Sequence, residues 1–199
     1  MQRTMRLMAT VGVLALGLGT MACQSGKTQA VWPADSRDAQ PRYLAHNLWF
    51  ENPEKVYSTN YHVGAMLPAG TEVRDVAMDR HDPPKKIFFT IAETGQKITI
   101  RFMHKHHGMV TPRAYCDRLF TDKPFDELTR GLPKGHIEAI RAGAMKIGMT
   151  REATIIAYGY PIESYTPSID ARTWTFMRNR FRRIVVEFDD KGRLSREFE

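Results

Sequence analysis

Two clusters of side chains have types and spacings that chemistry can use. Arg178, Arg180, Arg182 and Arg183 crowd one short stretch (MRNRFRR), with Phe181 between them. Guanidinium forks match phosphate and carboxylate oxygens two at a time. The stretch therefore predicts a tip that contacts anions, lipid or an acidic partner. The plainer reading is a solvated hairpin end whose charge discourages edge pairing. His104, His106 and His107 (MHKHHG) form the second cluster. Imidazoles bind zinc, copper or nickel, and alternation along an extended chain puts His104 and His106 on one side. No cysteine- or carboxylate-containing ligand motif accompanies them, so a polar strand end running into a loop is expected and metal binding is its rival.

Two weaker groupings invite catalysis. Asn60-Tyr61-His62 sits beside Gly64, where the alternative is a β-turn with an aromatic plug. Asp189-Asp190 offers paired carboxylates, but their run into Lys191-Gly192 reads more simply as a hairpin turn. No HExxH, GxSxG, phosphate-binding loop or CxxC pattern occurs. The expectation is a chain that is not an enzyme, with no catalytic residues and no cofactor.

These groups must be held by elements that the pattern also predicts. Arg3 and Arg6, the uncharged apolar run Leu7 to Gly19 and the small residues before Cys23 are the parts of an export signal over residues 1–22. The run is shorter than the roughly 20 apolar residues of a membrane-spanning helix. Removing it takes the formal charge from +7 to about +5, since Arg3 and Arg6 leave with it. That excess favours acidic partners or anionic lipid over a nucleic acid. Residues 23–41 are polar, hold two prolines and read as a tether, with Trp32 their one large apolar side chain. Cys116 would then be a lone thiol, expected as a small, partly buried helix residue outside any disulfide.

Residues 42–107 read as β-rich. The segments Lys86 to Ala92 and Lys97 to Met103 flank a turn at residues 93–96. Ile98, Ile100 and Phe102 fall on one face of the second, as in a half-buried antiparallel hairpin. Residues 108–133 form a helical connector in which Thr111-Pro112 supplies N-cap and N1. Residues 134–199 make an α+β unit. In it Thr150 caps a helix carrying Ala153, Ile156 and Ala157 as its apolar stripe, and Gly159 and Pro161 stop that helix. Three strands follow, with inward Trp174 and Phe176, then Ile184, Val186 and Phe188, then Leu194 and Phe198.

Four resemblances sharpen these expectations. Ala22-Cys23 resembles the lipobox of bacterial lipoproteins, which implies lipidation of Cys23 and attachment to a membrane through that anchor. Gln24 after it resembles an outer-membrane sorting signal, with the body facing the periplasm. Gly148, Met149, Thr150, Gly159, Pro161, Trp174, Phe176, Val186, Phe188, Asp189 and Gly192 resemble the pattern of the BamE (SmpA/OmlA) family over about residues 134–199. That resemblance implies two helices against a three-stranded antiparallel sheet. It also implies an accessory role in assembling outer-membrane β-barrel proteins, with anionic phospholipid and other assembly proteins as partners. Leu67-Pro68-Ala69-Gly70-Thr71-Glu72-Val73 resembles the opening of bacterial SH3-like domains. Two rivals stand beside the scaffold reading. One is a peptidoglycan- or small-ligand-binding envelope module, and the other is a metal-binding periplasmic protein using the three histidines.

Overall fold

The computed structural model describes residues 30–31 and 42–198. The signal, Cys23 and nearly all of the tether therefore lie outside the described residues. The fold is α+β. Its amino-terminal part is built from β1 (Ala30–Val31), β2 (Arg42–Leu44), β3 (Leu48–Phe50), β4 (Val56–Tyr57), β5 (Ala65–Leu67), β6 (Glu72–Met78), β7 (Lys86–Ile91) and β8 (Lys97–Arg101). Together with β9 (Phe120–Thr121), six of these form one sheet ordered β4-β8-β7-β6-β2-β9, with β1 also paired to β6. Strands β3 and β5 pair separately.

The β7–β8 hairpin is antiparallel, with Ile87 opposite Ile100 and Phe89 opposite Ile98, all four buried. Lys97 and Arg101 face solvent, as alternation requires. The aromatic run from Tyr43 to Phe50 does not continue as one strand. It breaks between β2 and β3 because His46 and Asn47 turn into the interior, where both are buried.

Helix α1 (Pro112–Leu119) starts where expected, with the Thr111 hydroxyl accepting from the Ala114 N–H at 3.1 Å. It ends as Phe120 and Thr121 join the sheet beside β2. Cys116 is fully buried in the first core, and burial pushes its thiol up to about 12. After the short helix α2 (Phe125–Leu128), α3 (Lys134–Arg141) and α4 (Arg151–Tyr158) lie against an antiparallel meander. Its strands are β10 (Thr173–Met177), β11 (Arg183–Phe188) and β12 (Leu194–Phe198). Ile140, Met149, Ala153, Ala157, Trp174 and Phe188 are at the heart of this second core.

Two expectations here need correcting. Thr154 rather than Ile156 completes the fully buried stripe of α4, its hydroxyl donating to the Thr150 carbonyl at 2.8 Å. Phe198 is 46% exposed and lies opposite Val185, because the register shifts by one residue at Glu187/Phe188. One such slip sends the rest of a strand to the other face.

A seam of buried amides joins the two cores. The last carbonyls of a helix have no partner within it, and in α4 they are met from the amino-terminal half. The Asn47 N–H donates to the Ile156 carbonyl, and its side-chain amide donates to the Ala157 carbonyl at 2.9 Å and to the Ile140 carbonyl at 2.7 Å. The Asn47 side-chain oxygen accepts from the Ala69 N–H at 2.7 Å. Asn60, held at a φ of +49°, donates its amide to the Asn47 and Tyr158 carbonyls. Gly159 passes under this seam with a φ of +83°, and a Cβ there would lie 2.7 Å from Asn60 Nδ2. Gly159→Ala is therefore expected to cost roughly 2–4 kcal/mol through strain and displacement of Asn60. A urea titration with an unchanged midpoint would contradict this.

Candidate functional site

The two sequence-level clusters meet in one cleft. It encloses about 610 Å³ between the β10–β11 tip, the segment after β4 and the turn after β8. The tip is closed by an asparagine. The Asn179 side-chain oxygen accepts from the Phe181 and Arg182 N–H groups at 2.8 and 2.9 Å, and the Arg182 carbonyl accepts from the Arg178 N–H. Such an Asx-turn can take the place of a glycine turn. It presents Phe181 almost fully, at 81% exposure.

Arg180 stacks over Phe181, and Arg183 lies 4.1 Å from the Tyr165 ring centre while donating to its hydroxyl. Arg180, Phe181 and Arg183 line the cleft, whereas Arg178 and Arg182 stand exposed on the hairpin outside it. The opposite wall carries Tyr57 and Tyr61, whose rings are 5.4 Å apart. The same pair borders a second groove of about 290 Å³ that runs on toward Trp49 and Lys55. Guanidinium groups and ring faces lining one cleft suit a ligand that carries both an anion and flat apolar faces.

The histidines contribute differently from expectation. Residues 104–106 form a 3-10 turn rather than an extended chain, so alternation does not pair His104 with His106. His104 sets its ring edge against Phe102. His106 lines the cleft beside Lys105, and its pKa is lowered by partial burial, then by the Lys105 and His107 charges. His107 is buried and stacks on Phe102. Among the described residues no group of three histidine, cysteine or acidic side chains is placed to hold a metal.

His107 enters a network that sequence reasoning missed. Its Nε2 is 2.7 Å from Ser58 Oγ and its Nδ1 is 3.0 Å from Glu163 Oε2, while Arg118 donates to the other Glu163 oxygen. These are the relations of a serine–histidine–carboxylate relay. The space beside it is about 10 Å³, enough for one water molecule and not for an acyl group. Arg118 stacks on Tyr160 at 4.7 Å along that space, and the buried Tyr115 hydroxyl there has no partner among the described residues. Ser58 Oγ also accepts from the Met103 N–H at 2.8 Å. The relay thus ties the histidine turn, which forms the cleft floor, to the segment after α4. Partners 49 and 56 residues apart leave no local pattern by which sequence could pair them.

The two weaker groupings resolve as turns and caps. Asn60 serves the seam and Tyr61 lines the cleft. His62 stacks on Tyr158 at 3.7 Å, with its ring nitrogens facing the Met177 and Tyr158 carbonyls. Asp189 closes the β11–β12 turn by accepting from the Lys191 and Arg193 N–H groups, and the Arg193 bond foremost holds its carboxyl below the usual range. Asp190 is exposed beside it. No protein-family model matches this chain, and no curated protein or solved structure matches it.

Proposed function

We propose that this protein is a lipid-anchored component of the bacterial outer membrane, facing the periplasm, with a non-enzymatic scaffolding role accessory to β-barrel assembly. The observation that carries the interaction role is the cleft, which Arg180, Arg183 and Lys105 line together with Tyr57, Tyr61, Tyr165 and Phe181. Support for the anchor comes from Cys23 at the end of the apolar run. Several acyl chains on one residue give stable attachment where a single chain does not. The finer fold assignment belongs to the same proposal. A helix pair on a three-stranded meander supports a BamE-like unit, and the Leu67 to Val73 pattern supports an SH3-like sheet before it. The one-water space beside Ser58 supports a structural use of the relay.

The test is fractionation of cells making the native chain or Cys23→Ser, followed by crosslinking in intact envelopes. The native chain should carry an acyl mass, sediment with outer membranes and capture barrel-assembly proteins, while Cys23→Ser should be released. Identical fractionation of the two forms, with no acyl mass, would overturn the anchor. In flotation with anionic vesicles, the combined Arg178→Ala, Arg180→Ala, Arg182→Ala and Arg183→Ala variant should lose about tenfold or more in binding, since each surface cation contributes about 1 kcal/mol. Equal flotation would remove lipid as the ligand of the tip.

A further inference from the structure

We infer that the cleft binds a carboxylate-bearing oligosaccharide of the cell-wall type, an assignment that rests on the envelope location proposed above. Four observations carry it. Several main-chain groups around the cleft are already engaged. The Asn179 N–H donates to the Arg182 carbonyl, the Phe181 N–H to the Asn179 side-chain oxygen, the His106 N–H to the Met103 carbonyl and the Val63 N–H to the Tyr61 carbonyl, while His62 Nδ1 lies 3.1 Å from the Met177 carbonyl. A peptide adding itself as a strand needs such groups free, so recognition falls to side chains.

Those side chains are flat rings and forks. Tyr57 and Tyr61 stand between two connected grooves, so a chain of sugar rings can lay its C–H faces on them and continue to either side. Arg180 and Arg183 line the same cleft, each already stacked on an aromatic ring. Stacking fixes the plane of a guanidinium while leaving N–H groups for a carboxylate. Glu51 shares the wall with both tyrosines and gives one place for an ammonium. A ligand with sugar faces, carboxylates and a free amine satisfies all of these groups, and the cleft volume falls within the roughly 300–1,000 Å³ of ordinary ligand sites. The site draws on both halves of the chain, so residues 42–107 alone would lack its arginines.

The test is calorimetry on the full chain anchored in neutral phosphatidylcholine vesicles, without detergent, using muropeptides released from peptidoglycan by a muramidase. An uncharged chitin oligosaccharide, a polyglutamate peptide and phosphatidylglycerol vesicles are the comparison arms. The native chain should bind muropeptide about tenfold more tightly than the uncharged sugar, because charge-assisted contacts to its carboxylates are added. The Arg180→Ala, Arg183→Ala double variant should remove that preference, while Tyr57→Ala should weaken both sugars alike. All three positions are exposed or half-buried, and thermal melts will confirm that the variants fold. Equal muropeptide binding by the native chain and the double variant overturns the assignment. No muropeptide binding, with vesicle or polyglutamate binding that depends on the same arginines, overturns the sugar while leaving the membrane scaffold intact. Loss of every interaction together with loss of membrane attachment rejects both.

Discussion

Asn47→Ala is expected to destabilise this protein by roughly 3–6 kcal/mol. Truncation strands the Ile140 and Ala157 carbonyls and the Ala69 N–H in a site closed to water, since Asn47 has no exposed surface. Each stranded group costs about 1–3 kcal/mol. A domain holds only about 5–15 kcal/mol in all, so the variant should melt some 10–20 °C lower or fail to accumulate. Asn47→Asp should be no better, because a carboxylate would face two carbonyl oxygens. Asn52→Ala is the control. Asn52 also accepts from a backbone N–H, but on an exposed turn, where the cost should stay below about 0.5 kcal/mol. Similar melting of the Asn47→Ala and Asn52→Ala variants would refute the seam as the principal join between the cores.

Stability should also fall as the solution is acidified from pH 7 to 5. Burial lowers the His46 pKa from 6.5 to about 4, against a smaller raising contribution from the Asn47 carbonyl. Burial likewise lowers His62 to about 4, opposed by the Tyr158 and Met177 carbonyls and aided by His46 and Arg178. In this window the unfolded chain binds protons that the folded chain refuses, so stability rises with pH. The contribution is complete above 6.5 and drains away as pH falls toward 4. At pH 5 His46 alone accounts for about 2 kcal/mol, and His62 adds in the same direction. Urea titrations at pH 7, 6 and 5 will measure this. A midpoint that does not move would mean that these imidazoles are not held neutral. In His46→Gln the slope should flatten, even if the variant is weaker throughout.

Sequence alone revealed the parts whose causes are local. The hydroxyl caps at Thr111 and Thr150, the Asp189 turn and the β7–β8 alternation each depend on residues within a few positions, and each stands as expected. The end of α4 at Gly159 was local too. Relations set by packing were not visible. Asn47 looks like any strand-edge amide until α3 and α4 arrive, and Ser58 has no neighbour in sequence that suggests His107. The pairing of His104 with His106 by alternation failed for the same reason. It presumed an extended chain, but burial of His107 against Phe102 curls the segment into a turn. The arginine tip was legible as a tip, yet the cleft it shares with Lys105 and His106 needed three dimensions.

The seam has a kinetic side as well. Its side-chain bonds to α3 and α4 link residues 93 to 110 positions apart, and contacts of that span close slowly because loop entropy must be overcome before they form. As the chain emerges amino end first, the sheet carrying Asn47 and Asn60 precedes helix α4. The donors are then in place when the last helix turn arrives. Until that docking the last carbonyls of α4 lack the Asn47 and Asn60 amides that meet them in the folded chain.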